Sequence, residues 1–235
     1  MQDIGQAIQL AFSLLLSADA DLIEIVGLSL NVSLSAVVVS CAIGLPLGAG
    51  IAIFRFRGRT ACIVLLNALM GLPPVVVGLL VYMMLSNSGP FGWLQWLYTP
   101  TAMIVAQSVL VTPIVAALAR EVLSQLHEEY DEQFRSWCLP SHVAVMTLLW
   151  DARYSLLTVA LAGFGRAVAE VGAIIIVGGN INHLTRMMTS AIALETSKGD
   201  LALALALGIV LLAIALSVNA AVMGLRLTAS RQAYG

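Results

Sequence analysis

Long apolar runs alternate along the chain with short polar stretches. At 1.5 Å rise per residue a helix needs about 20 apolar residues to cross a lipid hydrocarbon core. Five segments reach that length, at about residues 25–54, 61–85, 101–119, 155–177 and 201–225. The first is long enough to tilt or to kink at Gly44-Leu45-Pro46-Leu47-Gly48, and it stops at Arg55-Phe56-Arg57-Gly58-Arg59. Pro73-Pro74 interrupts the second, and Pro113 is expected to bend the third. Between those two, residues 86–100 are polar and aromatic, and Trp93, Trp96 and Tyr98 suit the headgroup layer. Spanning backbone in lipid must satisfy its own hydrogen bonds, so it forms helices or closed barrels, and these continuous runs lack the alternation of barrel strands. The expectation is an all-α integral membrane protein with five transmembrane helices.

Composition sharpens that expectation. Of 235 residues 60% are hydrophobic and 10% charged, whereas soluble domains carry roughly a quarter charged residues. Residues 60–119 contain no Asp, Glu, Lys or Arg, a stretch too long for one buried core helix and therefore solvated by lipid. The N-terminal segment differs: Ile4, Ile8, Phe12 and Leu15 recur at helical spacing over residues 2–17, which predicts an interfacial amphipathic helix within residues 1–24. The alternative is a cleaved leader ending near Ser17-Ala18-Asp19-Ala20, against which stand Asp3 and the absence of a positive residue.

Orientation follows from Lys and Arg, which are retained on the cytoplasmic side. With the N-terminus outside, Arg55, Arg57, Arg59, Arg120, Arg135, Arg153, Arg226 and Arg231 fall inside, while Arg186 and Lys198 fall outside. The C-terminal residues 226–235 then form a cytoplasmic tail, with no further domain on this chain. The net charge of −2 names no partner, and no nucleic-acid footprint is visible. Cys41, Cys62 and Cys138 make no CxxC pair, and His127, His142 and His183 are scattered, so neither disulfides nor a metal site is expected. No Gly-x4-Gly-Lys-Ser/Thr loop is present, so any ATP would be bound elsewhere and the chain is not expected to be an enzyme.

The longest polar segment, residues 120–154, lies between the third and fourth spans. In it Glu128, Glu129, Asp131, Glu132 and Arg135 alternate with Leu126, Tyr130, Phe134 and Trp137, which predicts an amphipathic helix. Such a helix either docks a partner or is a solvated surface element. The run Tyr130-Asp131-Glu132-Gln133-Phe134-Arg135-Ser136-Trp137-Cys138 resembles the cytoplasmic Glu-Ala-Ala…Gly loop of the membrane subunits of type I ATP-binding-cassette importers. Glu132 takes the Glu position, Gln133 and Phe134 replace the alanines, Cys138 stands near the Gly, and Trp150-Asp151 stands where Leu-Pro usually falls. The resemblance implies that Tyr130, Asp131, Glu132, Gln133, Phe134, Arg135, Trp137 and Cys138 contact an ATPase.

Further stretches are similar to the molybdate, sulfate and tungstate branch: Gly163-Phe164-Gly165-Arg166-Ala167-Val168-Ala169-Glu170-Val171-Gly172-Ala173 and Val177-Gly178-Gly179-Asn180-Ile181. Three more resemble the tungstate permeases in particular: Gly71-Leu72-Pro73-Pro74-Val75-Val76-Val77-Gly78, Tyr98-Thr99-Pro100-Thr101-Ala102-Met103-Ile104, and the run of residues 189–200. The family implies a homodimer in a bacterial inner membrane, two ATP-binding-cassette subunits that hold ATP and Mg, and an external tungstate-binding protein. No cofactor is expected on this chain. Tungstate import by alternating access is the function implied, with molybdate or sulfate as alternative substrates and an ion-coupled secondary transporter as a more distant one.

Three residue groups carry the remaining expectations. Arg166 and Glu170, one turn apart in the fourth span, either line the pathway or pin helices together as an ion pair. Asn180, Asn182, His183 and Arg186, with Thr185, form a polar outer mouth or a solvated loop. Gly165, Ala169, Gly172 and Ala173, like Gly44 and Gly48, are small-residue stripes that suit close helix contact within one subunit or between two.

Overall fold

The computed structural model describes residues 20–234 together with Gly5, Ile8, Gln9 and Ser13, and at 135, 141, 142 and 225–234 the backbone alone. The interfacial helix expected over residues 2–17 falls, but for those four positions, outside the described residues. Among the described residues the chain is all-helical: α1 (Ala20–Ile53), α2 (Arg59–Met70), α3 (Pro74–Leu85), a 3-10 turn (Gly92–Leu94), α4 (Pro100–Ser136), α5 (Ser141–Asp151), α6 (Arg153–Val168), α7 (Gly172–Gly178), α8 (Met188–Lys198) and α9 (Leu201–Tyr234). Three helices, α1, α4 and α9, are long and apolar enough to cross a membrane, or up to five if each bent pair, α2 with α3 and α5 with α6, counts as one span.

The break between α2 and α3 has a local cause. α2 stops at Met70 and α3 starts at Pro74, because Pro73 is held extended (φ −64°, ψ 121°) and Pro74 has no N–H to continue a ladder. Pro46 and Pro113, by contrast, sit inside continuous helices. The single fourth span expected over 155–177 is instead two helices, α6 and α7, separated by residues 169–171. Arg166 and Glu170 are therefore not on one helical face: Arg166 is in the last turn of α6 and Glu170 lies beyond its end. The stretch after residue 178, expected as a loop to residue 200, contains α8. Residues 120–136 are no separate loop helix either, since they continue α4 without interruption.

The chain divides into two compact units. In the unit of residues 36–72 and 108–166, α1 packs on α4 through its small residues. A Cβ on Gly44 would lie 3.0 Å from Val115 Cγ1, and one on Gly48 would lie 2.6 Å from the Ala116 carbonyl oxygen. Ser40 Oγ donates to the Ser108 carbonyl at 3.3 Å in the same seam. Further along, Ala49, Ala52, Ala119, Leu123, Phe134, Ala144 and Leu148 form one core. Arg59 closes the end of α1, its Nε and Nη2 donating to the carbonyls of Ile51 (2.7 Å) and Ala52 (3.0 Å), as a cation at a helix C-terminus should.

In the unit of residues 1–35, 73–107 and 167–235, α3 packs on α7, and α8 on α9. A Cβ on Gly78 would meet the Ala173 Cα at 2.7 Å, so only glycine allows that approach. Val32, Met103, Ile174 and Met187 form one buried cluster; Leu22, Met188, Ala191, Ala206 and Val210 form another. α8 ends at Gly199 in the left-handed region (φ 85°), and Asp200 Oδ1 accepts the Leu203 N–H at 3.0 Å to start α9.

Candidate functional site

Buried non-helical backbone survives only where other groups satisfy its hydrogen bonds. The interruption at 169–171 is satisfied by three side chains. Glu170, 3% exposed, turns its carboxylate onto the restarting helix, where Oε1 accepts the Ala173 N–H at 3.2 Å. Thr189 Oγ1 donates to the Glu170 carbonyl at 2.9 Å, and the fully buried Gln107 donates from Nε2 to the Ala167 carbonyl at 3.0 Å. Glu170 thus acts as the cap of α7, a negative group at a helix N-terminus. Val75 abuts this point as well: a Cβ on Gly172 would lie 2.9 Å from Val75 Cγ2. Both α3 and α7 therefore begin where they touch. Gln107 and Thr189 were not singled out from sequence, although Gln107 stands out as a carboxamide within the charge-free run of residues 60–119.

The residues expected at an outer mouth separate into built and open positions. Thr185 is fully buried, its Oγ1 donating to the Gly178 carbonyl at 2.6 Å and accepting the Ile181 N–H at 2.9 Å. Asn180, in the left-handed region (φ 51°), accepts on Oδ1 from Ser190 Oγ at 2.9 Å. Asn182 and His183 are exposed, and Arg186 is half-buried. His183 Nδ1 lies 2.9 Å from Glu24 Oε2 at the start of α1, with Asp21 in the same cluster. The hydrogen bond to Glu24 and its charge hold the His183 imidazolium above the ordinary histidine range; Asp21 adds to this, while desolvation and Arg186 oppose it. All three clustered side chains are exposed, and the two carboxylates sit in the first turns of a helix, which they complement. The arrangement is an ion-paired tie between α1 and the loop, and its carboxylates offset the positive charge of His183 and Arg186.

The third region follows α4. Tyr130 and Phe134 meet edge-to-face at 5.7 Å, and Phe134 is buried in the core with Ala144 and Leu148. The apolar side of the segment 126–134 is thus covered within the chain, while Glu132, Gln133 and Trp137 face outward, Asp131 is half-buried, and the Arg135 backbone continues α4. Cys138 takes the left-handed conformation (φ 50°) that ends the helix, with the Leu139 N–H returning to the Phe134 carbonyl at 3.1 Å. Glycine adopts that conformation without cost. α5 then runs at 71° to α6 and buries Ala144 and Leu148. Its opposite face carries Val143, Met146 and Trp150 at helical spacing, Met146 71% and Trp150 68% exposed, beside Trp137 at 69%. This apolar stripe was not marked as a unit from sequence; its spacing over residues 143–150 was the available signal.

Residues 44–225 match the model of the binding-protein-dependent transport system inner membrane component family. The chain is 37% identical over 226 residues to the tungstate uptake system permease protein of Peptoclostridium acidaminophilum, covering 96% of this chain and 99% of that one. It is 35% identical over 209 residues to the corresponding protein of Campylobacter jejuni (89% and 87% covered), and 38% identical over 205 residues to a probable anion ABC transporter permease of Haloferax volcanii (85% and 88%). A sulfate transport system permease of Escherichia coli is 28% identical over 72% of this chain and 60% of its own length. The chain belongs to the family of binding-protein-dependent transport system inner membrane components, the permease subunits of ABC transporters.

Proposed function

We propose that this chain is the membrane-spanning subunit of an ATP-driven importer of tungstate. The observation that carries the substrate is the 37% identity, over nearly the whole of both chains, to a tungstate uptake permease. The sulfate permeases match less closely and over less of their length, so molybdate or sulfate transport is the second reading. In this account five spans cross the inner membrane with the N-terminus outside and the C-terminus inside, as the Lys and Arg distribution favours. Two copies form the pathway, two ATPase subunits hold ATP and Mg, and a binding protein delivers the anion from outside.

The ATPase docks on the segment from Tyr130 to Trp150. Glu132 and Gln133 offer polar contacts, and Trp137, Val143, Met146 and Trp150 offer the exposed apolar face that a soluble partner would cover. α5 is the rigid piece that transmits ATPase closure, because its buried side is packed into the core containing Phe134 and Leu148. The breaks at 71–73 and 169–171 are where the second and fourth spans flex between inward-open and outward-open states. Glu170 is the cap that holds the second of these breaks, and Arg166 contributes to the pathway or to its packing.

The test is uptake of tungstate, molybdate and sulfate by cells carrying this chain with its encoded neighbours, against cells bearing Glu132→Arg or Met146→Asp. Tungstate uptake that both variants abolish, with the protein still in the membrane, supports the reading. Uptake of sulfate alone would move the substrate, and tungstate uptake unaffected by both variants would remove the docking face.

A further inference from the structure

We propose that a groove between α1 and the corner joining α5 to α6 binds an acidic phospholipid of the cytoplasmic leaflet. The groove has a volume of about 540 Å³ and its walls are apolar: Leu45 and Pro46 from α1, Leu149 from α5, and Leu156, Leu157 and Ala160 from α6. That volume lies within the roughly 300–1,000 Å³ of pockets that take small ligands. Along α6 the wall runs about 10 Å from Arg153 to Ala160, enough to seat the upper part of an acyl chain. Pro46 has no N–H to donate to the Ala42 carbonyl one turn back, and Ala42 also lines the groove.

Arg153 is the one charged side chain among the described lining residues. Its guanidinium carbon lies 4.8 Å over the Trp150 ring and 4.6 Å over the Tyr154 ring, and Nη1 donates to the Trp150 carbonyl at 2.7 Å. These three contacts hold the cation at the corner, while the rest of its five-donor fork is available to a phosphate. An Arg flanked by Trp and Tyr at the end of a span is the composition of a bilayer interface. Asp151, the neighbouring carboxylate, is exposed and does not line the groove.

The combination selects the occupant. A bare oxyanion has no use for the apolar wall, and a zwitterionic lipid gains little from a lone guanidinium. An amphiphile with a negative headgroup uses both. In the orientation proposed above the corner lies in the cytoplasmic leaflet, where acidic lipids attract basic residues, and a bound lipid would tie α1 to the corner that carries the ATPase-docking helix.

The test is native mass spectrometry of the full detergent-solubilised transporter loaded with equimolar phosphatidylglycerol and phosphatidylcholine of identical acyl chains. This readout does not depend on orientation or on the substrate. The wild type is expected to retain phosphatidylglycerol with about fivefold preference, as one phosphate-facing Arg implies. Arg153→Gln should abolish the preference, Arg153→Lys should keep most of it, and Ala160→Phe should reduce phosphatidylglycerol retention with the guanidinium intact. Equal retention of the two lipids by the wild type, an undiminished preference in Arg153→Gln, or displacement of phosphatidylglycerol by inorganic tungstate would each overturn the proposal, the last by making the groove part of the anion route.

Discussion

The contacts of α1 with α4 and of α3 with α7 bring backbones equally close by different means. In the first, two uninterrupted helices of 34 and 37 residues run past Gly44 and Gly48, and every backbone group near the contact is bonded within its own helix except where Pro46 and Pro113 intervene. In the second, both helices start at the contact, at Pro74 and Gly172, and unpaired backbone groups must be met by Glu170, Gln107 and Thr189. The first kind of contact is a rigid post whose stability depends on small residues. The second depends on polar side chains drawn from distant parts of the sequence, so it can be loosened by breaking a few hydrogen bonds. In the mechanism proposed above the first contact serves as the frame and the second as a point where a span flexes.

Substitutions should separate the two contacts. The largest effect is expected from Gly48→Leu, whose Cβ would meet the Ala116 carbonyl at 2.6 Å; overpacking of about 3 kcal/mol should appear as lost folded yield in detergent. Gly50 has open space around it, so Gly50→Ala should leave stability unchanged or raise it by up to about 1 kcal/mol, and a comparable loss there would mean that the cost at Gly48 does not come from its close approach to α4.

At the broken contact, Gln107→Leu strips a donor from the Ala167 carbonyl and should cost about 1–3 kcal/mol in thermal or denaturant unfolding. The Glu170 N–H also reaches that carbonyl, at 3.2 Å, which places the effect toward the low end. Thr189→Val should cost about 1 kcal/mol for the same reason, and transport should fall more than stability in both variants if the break is a hinge. Cys138→Gly, which relieves a left-handed backbone at φ 50°, should gain about 1 kcal/mol.

The smallest effect is pH-dependent. Because Glu24 raises the His183 pKa above its ordinary value of 6.5, the tie is fully present below that value and is lost as pH rises through the folded pKa. The stability difference between wild type and Glu24→Gln, read by thermal unfolding, should therefore shrink as pH rises above the ordinary histidine value of 6.5. A difference that grows with pH would show that His183 is not the titrating partner.

Apolar length made much of the fold legible. The runs of residues 25–54, 101–119 and 201–225 correspond to α1, which ends one residue earlier at Ile53, and to parts of α4 and α9, and the break at Pro73-Pro74 is visible because proline announces itself. The interruption at 169–171 was not, since Ala169, Glu170 and Val171 are compatible with a helix and the partners that hold them open, Gln107 and Thr189, lie 60 and 19 residues away along the chain. The same holds for His183, scattered by sequence yet beside Glu24, 159 residues distant. α5 is hidden for a different reason: the charged positions of this region run from Glu128 through Arg135, whereas the exposed face that follows is apolar, as an interface stripe and a membrane run both are.

The most direct measurement is accumulation of tungstate in proteoliposomes holding this chain, its ATPase subunits and its binding protein, with and without ATP, for wild type and Met146→Asp. The account predicts ATP-dependent accumulation that Met146→Asp abolishes while the purified ATPase subunits still hydrolyse ATP. Accumulation that proceeds without ATP or without the ATPase subunits would contradict it.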